Sequence, residues 1–177
     1  PDGRMVSATI LINGTETKLT SIYAPVTGPN HQDRDAFFED VARSITPGTV
    51  IGMDANCHLA PIDYQSNAAS QVDNTGAAEL HDIIADNGLI DVTRESLGHD
   101  HTHFTNHTNT ANGVTKRRLD LVLAPQVDAI TWDLDLQRKD FLTMGRTFGH
   151  DMVSIKMCII QDERGKDLQT INETIFE

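Results

Sequence analysis

The chain has 177 residues, of which 38% are hydrophobic and 5% aromatic, with a formal net charge of −12. That length supports one domain with a real core, and no apolar run approaches the length needed to span a bilayer, so no membrane partner is expected. The acidity argues against tight non-specific binding of nucleic acid, whose affinity comes from neutralising phosphates.

In chain order, residues 4–12 alternate, with Val6, Ala8, Ile10 and Ile12 on one side and Met5, Ser7, Thr9 and Leu11 on the other. Asn13-Gly14 follows, a strong hairpin signal because a type I′ turn needs positive φ at both positions. The return strand runs from Thr15 to Tyr23, and Pro25 ends it. His31–Ile45 reads as a helix, with Phe37, Phe38, Val41, Ala42 and Ile45 as its apolar stripe and Pro47-Gly48 as its stop. Thr49–Met53 is short and apolar, as a buried strand is. Residues 57–75 read as a loop and Gly76–Asn87 as a second helix, with Gly88 placed to cap it. Leu89–Val92 is a short strand, and Thr102–Thr105 is a candidate strand. Residues 106–115, rich in Asn and Thr, read as an exposed loop. Leu119–Leu123, stopped by Pro125, Ala129–Leu136 and the alternating Met152–Ile160 are strands. Residues 161–177 carry little periodicity and read as a tail or linker after a domain spanning 1–160. This order predicts a layered α/β domain with helices on sheet faces.

Three strand ends carry chemistry. Asp54-Ala55-Asn56 ends one apolar run, Arg118-Leu119-Asp120 leads into another, and His150 precedes a third. Two carboxylates, an amide and an imidazole form a kit for metal-assisted attack on a phosphodiester. A hard divalent ion prefers oxygen ligands and polarises the phosphoryl oxygen. An imidazole paired with a carboxylate, here His150 with Asp120, takes a proton from water near neutral pH. Asn56 and the Tyr23 hydroxyl can each donate to a phosphate oxygen. Taken singly, each has a plainer explanation: an Asx-turn for Asp54-x-Asn56, a surface ion pair for Arg118-x-Asp120, a half-buried strand residue for Tyr23.

Their order is what distinguishes them. Ser21-Ile22-Tyr23-Ala24-Pro25, Gly52-Met53-Asp54-Ala55-Asn56, Asn74-Thr75-Gly76, Asn87-Gly88-Leu89-Ile90-Asp91-Val92, His103-Phe104-Thr105, Arg118-Leu119-Asp120-Leu121-Val122-Leu123 and Phe148-Gly149-His150 follow one another as in a known series. The chain thereby resembles the endonuclease/exonuclease/phosphatase superfamily, most closely the apurinic-type endonuclease domains of LINE-type non-LTR retrotransposons, over residues 4 to about 160. The resemblance implies a layered α/β sandwich of that type, lacking its N-terminal strands, with Mg²⁺ (or Mn²⁺) as cofactor and DNA as partner. It implies a phosphate-positioning role for Tyr23 and a phosphate-binding role for Asn56. Asp54 would orient the nucleophile or protonate the leaving group. Asp120 would orient His150, which would activate water or stabilise the transition state. Asn74, Lys116 and Arg118 would contact substrate, and Asp54, Asn56 and Asp151 would serve the metal.

Two departures lower the expected activity. The family's first strands, with an early Asn and the principal metal-binding Glu, have no counterpart in this chain. Gly149 stands where an acid precedes the histidine, with Asp151 after it as the candidate substitute. The expectation is therefore DNA nicking by an impaired site, with two alternatives: a catalytically dead remnant or binding module, and another phosphodiesterase of the same superfamily. Missing strands would also bare a sheet edge and favour self-association.

Other features carry less. His99, His101 and His103, with His107 nearby, would share one face if extended and suggest zinc, but no spaced fourth ligand accompanies them. Lys116-Arg117-Arg118, Arg94, Arg138-Lys139 and Arg146 form either a local basic patch or a solvated face. Cys57 and Cys158 build no disulfide framework and suit an intracellular compartment, nucleus or cytoplasm, in keeping with the lack of a secretory leader.

Overall fold

The computed structural model describes residues 3–12, 15–26, 32–67, 74–110, 113–126, 130–137, 142–143, 146–147, 150 and 152–159. The Asn13-Gly14 turn, Gly149, Asp151 and the tail expected over 161–177 lie outside them.

The expected hairpin is present. Strand β1 (Met5–Ile12) pairs antiparallel with β2 (Thr15–Tyr23), Ile12 opposite Thr15. Helix α1 (Gln32–Ser44) follows, burying Phe38 and Val41. Strand β3 (Val50–Asp54) then runs parallel to β2. After a 3₁₀ turn at Pro61–Asp63 come β4 (Tyr64–Ser66), α2 (Ala77–Asp86), β5 (Leu89–Asp91), α3 (Val92–Leu97), β6 (Asn106–Thr110), β7 (Gly113–Arg117) and β8 (Asp120–Pro125). The central sheet has the order β1-β2-β3-β8-β5.

Period-two alternation of the central strands builds a core on each face of this sheet. Ile51 and Met53 of β3, with Leu121 and Leu123 of β8, meet Phe38 and Val41 of α1 and Leu80 and Ile83 of α2. Val50, Val122 and Ala124 point the other way and pack with Val92 of α3 and Val153. Apolar residues at consecutive positions are thus what burial on both faces requires. Val153 belongs to β12 (Met152–Ile159), which pairs antiparallel with β9 (Ile130–Gln137). Between them β10 (Leu142–Thr143) and β11 (Arg146–Thr147) form a short ladder.

Four local expectations are corrected. Residues 106–115, read as a loop, contain most of the β6–β7 hairpin, and β4, inside the expected loop over 57–75, joins it in a sheet of order β4-β7-β6. This sheet is polar and shows no apolar alternation; a main-chain ladder holds it, with side-chain bonds such as Ser66 Oγ to Thr115 Oγ1 at 3.0 Å. Thr102–Thr105 forms no strand: the Thr105 hydroxyl instead accepts from the main-chain N–H groups of Leu119 and Asp120. The strand expected to reach Val92 stops at Asp91, whose carboxylate accepts from Arg94 N–H and caps α3.

Candidate active site

The ladder registers assemble the site. Tyr23 is the partner of Asp54 across β2–β3, and Asp54 is the partner of Asp120 across β3–β8. Residues paired this way share a face, so Tyr23, Asp54 and Asp120 form a row across three neighbouring strands. By alternation it is the face of Val50, Val122 and Val153, the one β12 packs against. His150, two residues before β12, joins the row there and makes an isolated bridge to Asn106.

The imidazole is held at both nitrogens. Its Nδ1 lies 2.8 Å from Asp120 Oδ2, and its Nε2 lies 3.0 Å from Asn106 Nδ2 and 4.0 Å from Asp54 Oδ2. The Asn106 amide fixes the tautomer. Its Oδ1 faces Arg117 Nη2 at 3.4 Å, and a guanidinium only donates. The Nδ2 of Asn106 therefore faces His150 and donates to Nε2, which leaves the ring proton on Nδ1, toward Asp120. That is the tautomer of a general base.

Asp54 and Asp120 bring two carboxylates side by side, an arrangement that is unfavourable in an ordinary sheet. Burial, then the charge of Asp120, raises the Asp54 pKa above the usual carboxylate value. The Asp120 hydrogen bond raises the His150 pKa, against an opposing contribution from burial. One ligand atom each from Asp54, Asp120 and His150 lie within 4.8 Å of one another, the only such metal-capable trio among the described residues. Its carboxylate oxygens suit a hard divalent ion, whose charge would relieve their repulsion, whereas both imidazole nitrogens are already engaged. The histidine-rich stretch around His99–His107 forms no comparable group among the described residues.

Asn56 adopts φ 50°, a left-handed conformation that Asn tolerates. Its N–H donates to Asp54 Oδ1 at 3.0 Å and its Nδ2 to Ala24 O at 2.8 Å, tying the end of β3 to the end of β2. Tyr23 is 48% exposed, with the Arg4 guanidinium 5.5 Å from its ring centroid.

Two residues expected to contact substrate are engaged elsewhere. Arg118 is 1% exposed, and it pairs with Asp63 through Nε and Nη2 and with Asp91 through Nη1 and Nη2. It is a buried strut between β8, the 3₁₀ turn and α3, with no reach to a ligand. Asn74 spends its amide on the main chain of His58, accepting at 2.7 Å and donating at 2.9 Å. Lys116 lies over the Phe104 ring at 6.0 Å. The cation acting on both Asp54 and His150 is Arg117. Asp151, the other expected metal ligand, lies outside the described residues. Asn106 and Arg117 were not marked as site residues by sequence: Asn106 lies in a polar segment without apolar alternation, and Arg117 lies within a basic run. Strand alternation separates Arg117 from Lys116 and Arg118, and is the signal that could have found it.

No protein-family model and no curated protein matches the sequence. Among solved structures, the chain is similar over 91% of its length to the endonuclease domain of TRAS1, a telomere-specific non-LTR retrotransposon, with a TM-score of 0.55 and 18% identity. The chain has the endonuclease/exonuclease/phosphatase fold. A D. rerio TDP2 humanised by 14 mutations shares this fold, at TM-score 0.50 and 18% identity over 81% of the chain. The chain spans 65% of the length of the TRAS1 domain and 55% of that TDP2. Within the endonuclease/exonuclease/phosphatase fold, the Tyr23–Asp54–Asp120 row marks the sheet end where His150 docks.

Proposed function

We propose that this chain is a metal-assisted phosphodiester hydrolase that nicks DNA. The observation that carries the reading is the Asp54–His150–Asp120 geometry, on a fold shared with a retrotransposon endonuclease domain. Asp120 holds the Nδ1 proton of His150 and stabilises the imidazolium as it forms. Nε2 takes a proton from the attacking water, for which the Asn106 amide yields its place. Tyr23, beside Asp54 in the row, donates its hydroxyl to a phosphate oxygen. The second N–H of Asn56 is available for the same purpose. Asp54, with the Asn56 amide oxygen, would hold Mg²⁺ or Mn²⁺, which when bound supplies positive charge to the phosphoryl and leaving oxygens. Turnover is expected to be slow, because Gly149 offers no carboxylate where the family's acid stands.

The test is nicking of supercoiled plasmid in Mg²⁺. Slow nicking, abolished by EDTA and by His150→Ala, is the expected result. Hydrolysis of a small phosphodiester without DNA cleavage would move the substrate class. A folded protein that binds DNA but cleaves neither would make it a binding module.

A further inference from the structure

Arg117 is the last residue of β7 and pairs on the main chain with Tyr64 of β4 on one side and Asn106 of β6 on the other, so its backbone is fixed by two ladders. Its side chain is half-buried, yet little engages it. Nη2 makes one long bond, 3.4 Å, to Asn106 Oδ1, and the Nε–H is buried with no acceptor. Among the described residues no carboxylate lies within ion-pairing distance. Arg118, the next residue, has four bonds to two carboxylates. A guanidinium carries five donors, and leaving them unmatched away from water is unfavourable.

The surroundings point to what would match them. Arg117 acts electrostatically on Asp54 and His150, and Arg34 repels it. Arg34 is 2% exposed and bonded to two main-chain oxygens, those of Pro25 at 3.0 Å and Thr75 at 2.9 Å. Arg117 thus acts on the reactive trio with Arg34 acting on it in turn, and neither guanidinium makes a direct ion pair with a carboxylate among the described residues. A phosphodiester presents two non-bridging oxygens that share one negative charge, a pair of acceptors that a guanidinium fork matches.

We propose that Arg117 is a substrate-binding residue that grips a non-bridging oxygen of the phosphodiester, with Arg34 behind it adding positive potential. This rests on the hydrolase reading for the identity of the anion, while the binding itself is independent of turnover. Asn106 then has two tasks, holding the free guanidinium in place and holding the His150 tautomer.

The experiment uses dimethyl phosphate, the minimal phosphodiester anion, in metal-free buffer with the full 177-residue chain. The Arg117 Nε–Hε signal is assigned by its loss in Arg117→Lys, then followed by NMR through a titration. A saturating shift is expected in the wild-type protein and equally in His150→Ala. Arg117→Gln is expected to weaken binding about tenfold, the loss of one charge-assisted bond. Arg117→Lys should recover only part of it, because the fork is gone. An unmoved Arg117 signal, or unchanged affinity in Arg117→Gln, would overturn the proposal; the wild-type titration decides even if Arg117→Gln fails to fold. Saturable binding without hydrolysis of any phosphodiester would support Arg117 while sinking the hydrolase reading.

Discussion

Asp120 faces opposite demands: its Oδ2 takes the His150 Nδ1–H at 2.8 Å while the Asp54 carboxylate stands on the adjoining strand. The hydrogen bond to Asp120 is the first cause of the raised His150 pKa, so Asp120→Asn should lower the His150 titration midpoint, read from its ring signals by NMR. A midpoint that stays put would detach Asp120 from the histidine. The sign for stability follows from linkage. His150 protonates more readily folded than unfolded, so its contribution is fully present below the unfolded value, near 6.5, and is lost as pH rises through the raised folded value. The proposed activity has the opposite dependence, because His150 as a general base must be unprotonated: the rate should climb as pH passes the raised His150 pKa. In Asp120→Asn the climb should begin at lower pH and reach a lower plateau. At this scale Asp54, Asp120 and Tyr23 were legible because apolar runs mark their strand ends. Asn106 was not, since nothing in Thr105-Asn106-His107-Thr108 distinguishes it from a solvated loop.

At the scale of elements, the buried Arg118 shows how the start of β8 is held. Asp63 is fully buried and takes Arg118, Arg94 and Thr102, while Asp91 both caps α3 and takes Arg118. Removing the guanidinium strips Asp63 and Asp91 of four charge-assisted bonds and leaves Asp63 to Arg94 and Thr102 alone, a loss of about 3 kcal/mol, the low end for a broken buried pair, so Arg118→Met should lower the urea midpoint. A shift below about 1 kcal/mol would mean the network is no better than an exposed pair. Burial would raise the Asp63 pKa, but its bonds to Arg118 and the charge of that residue outweigh it and set the pKa low. Asp63 therefore stabilises the fold above the usual carboxylate value, and that contribution is lost as pH falls through its depressed pKa. Gly76 makes a second constraint. It caps α2 at φ 88°, and a Cβ there would meet Arg34 and Phe38 side-chain atoms at 2.9 Å. Gly76→Ala should cost about 1–3 kcal/mol from the strained backbone, measured by thermal or urea unfolding. The two long helices and the central strands were legible from their periodicity. The β4-β7-β6 sheet was not, because its strands bury no apolar face and so leave no alternation to read; likewise the cap at Asp91 redirected a strand-like sequence into α3.

Across the whole molecule, the central sheet places chemistry at one end and an open edge at one side. Among the described residues strand β1 has no neighbour on its outer side, and Val6 and Leu11 on it are 68% and 71% exposed. An unpaired edge with exposed apolar side chains favours edge-to-edge association. We expect concentration-dependent self-association, reduced in a Val6→Lys/Leu11→Lys double variant; a wild-type monomer at all concentrations in sedimentation would refute it. The fold was legible as a series of motifs in order, and the convergence of Asp54, Asp120 and His150 as three strand ends. The burial of Arg118 was not legible, because a basic run does not show which of its residues faces inward. If Asp54, Asp120 and His150 act as one hydrolytic site, Mg²⁺-dependent hydrolysis of bis(4-nitrophenyl) phosphate separates wild type from His150→Ala, each verified as folded. Slow wild-type hydrolysis that falls by about a hundredfold or more in His150→Ala is the expected result; equal rates in the two proteins would show that the three residues do not work together.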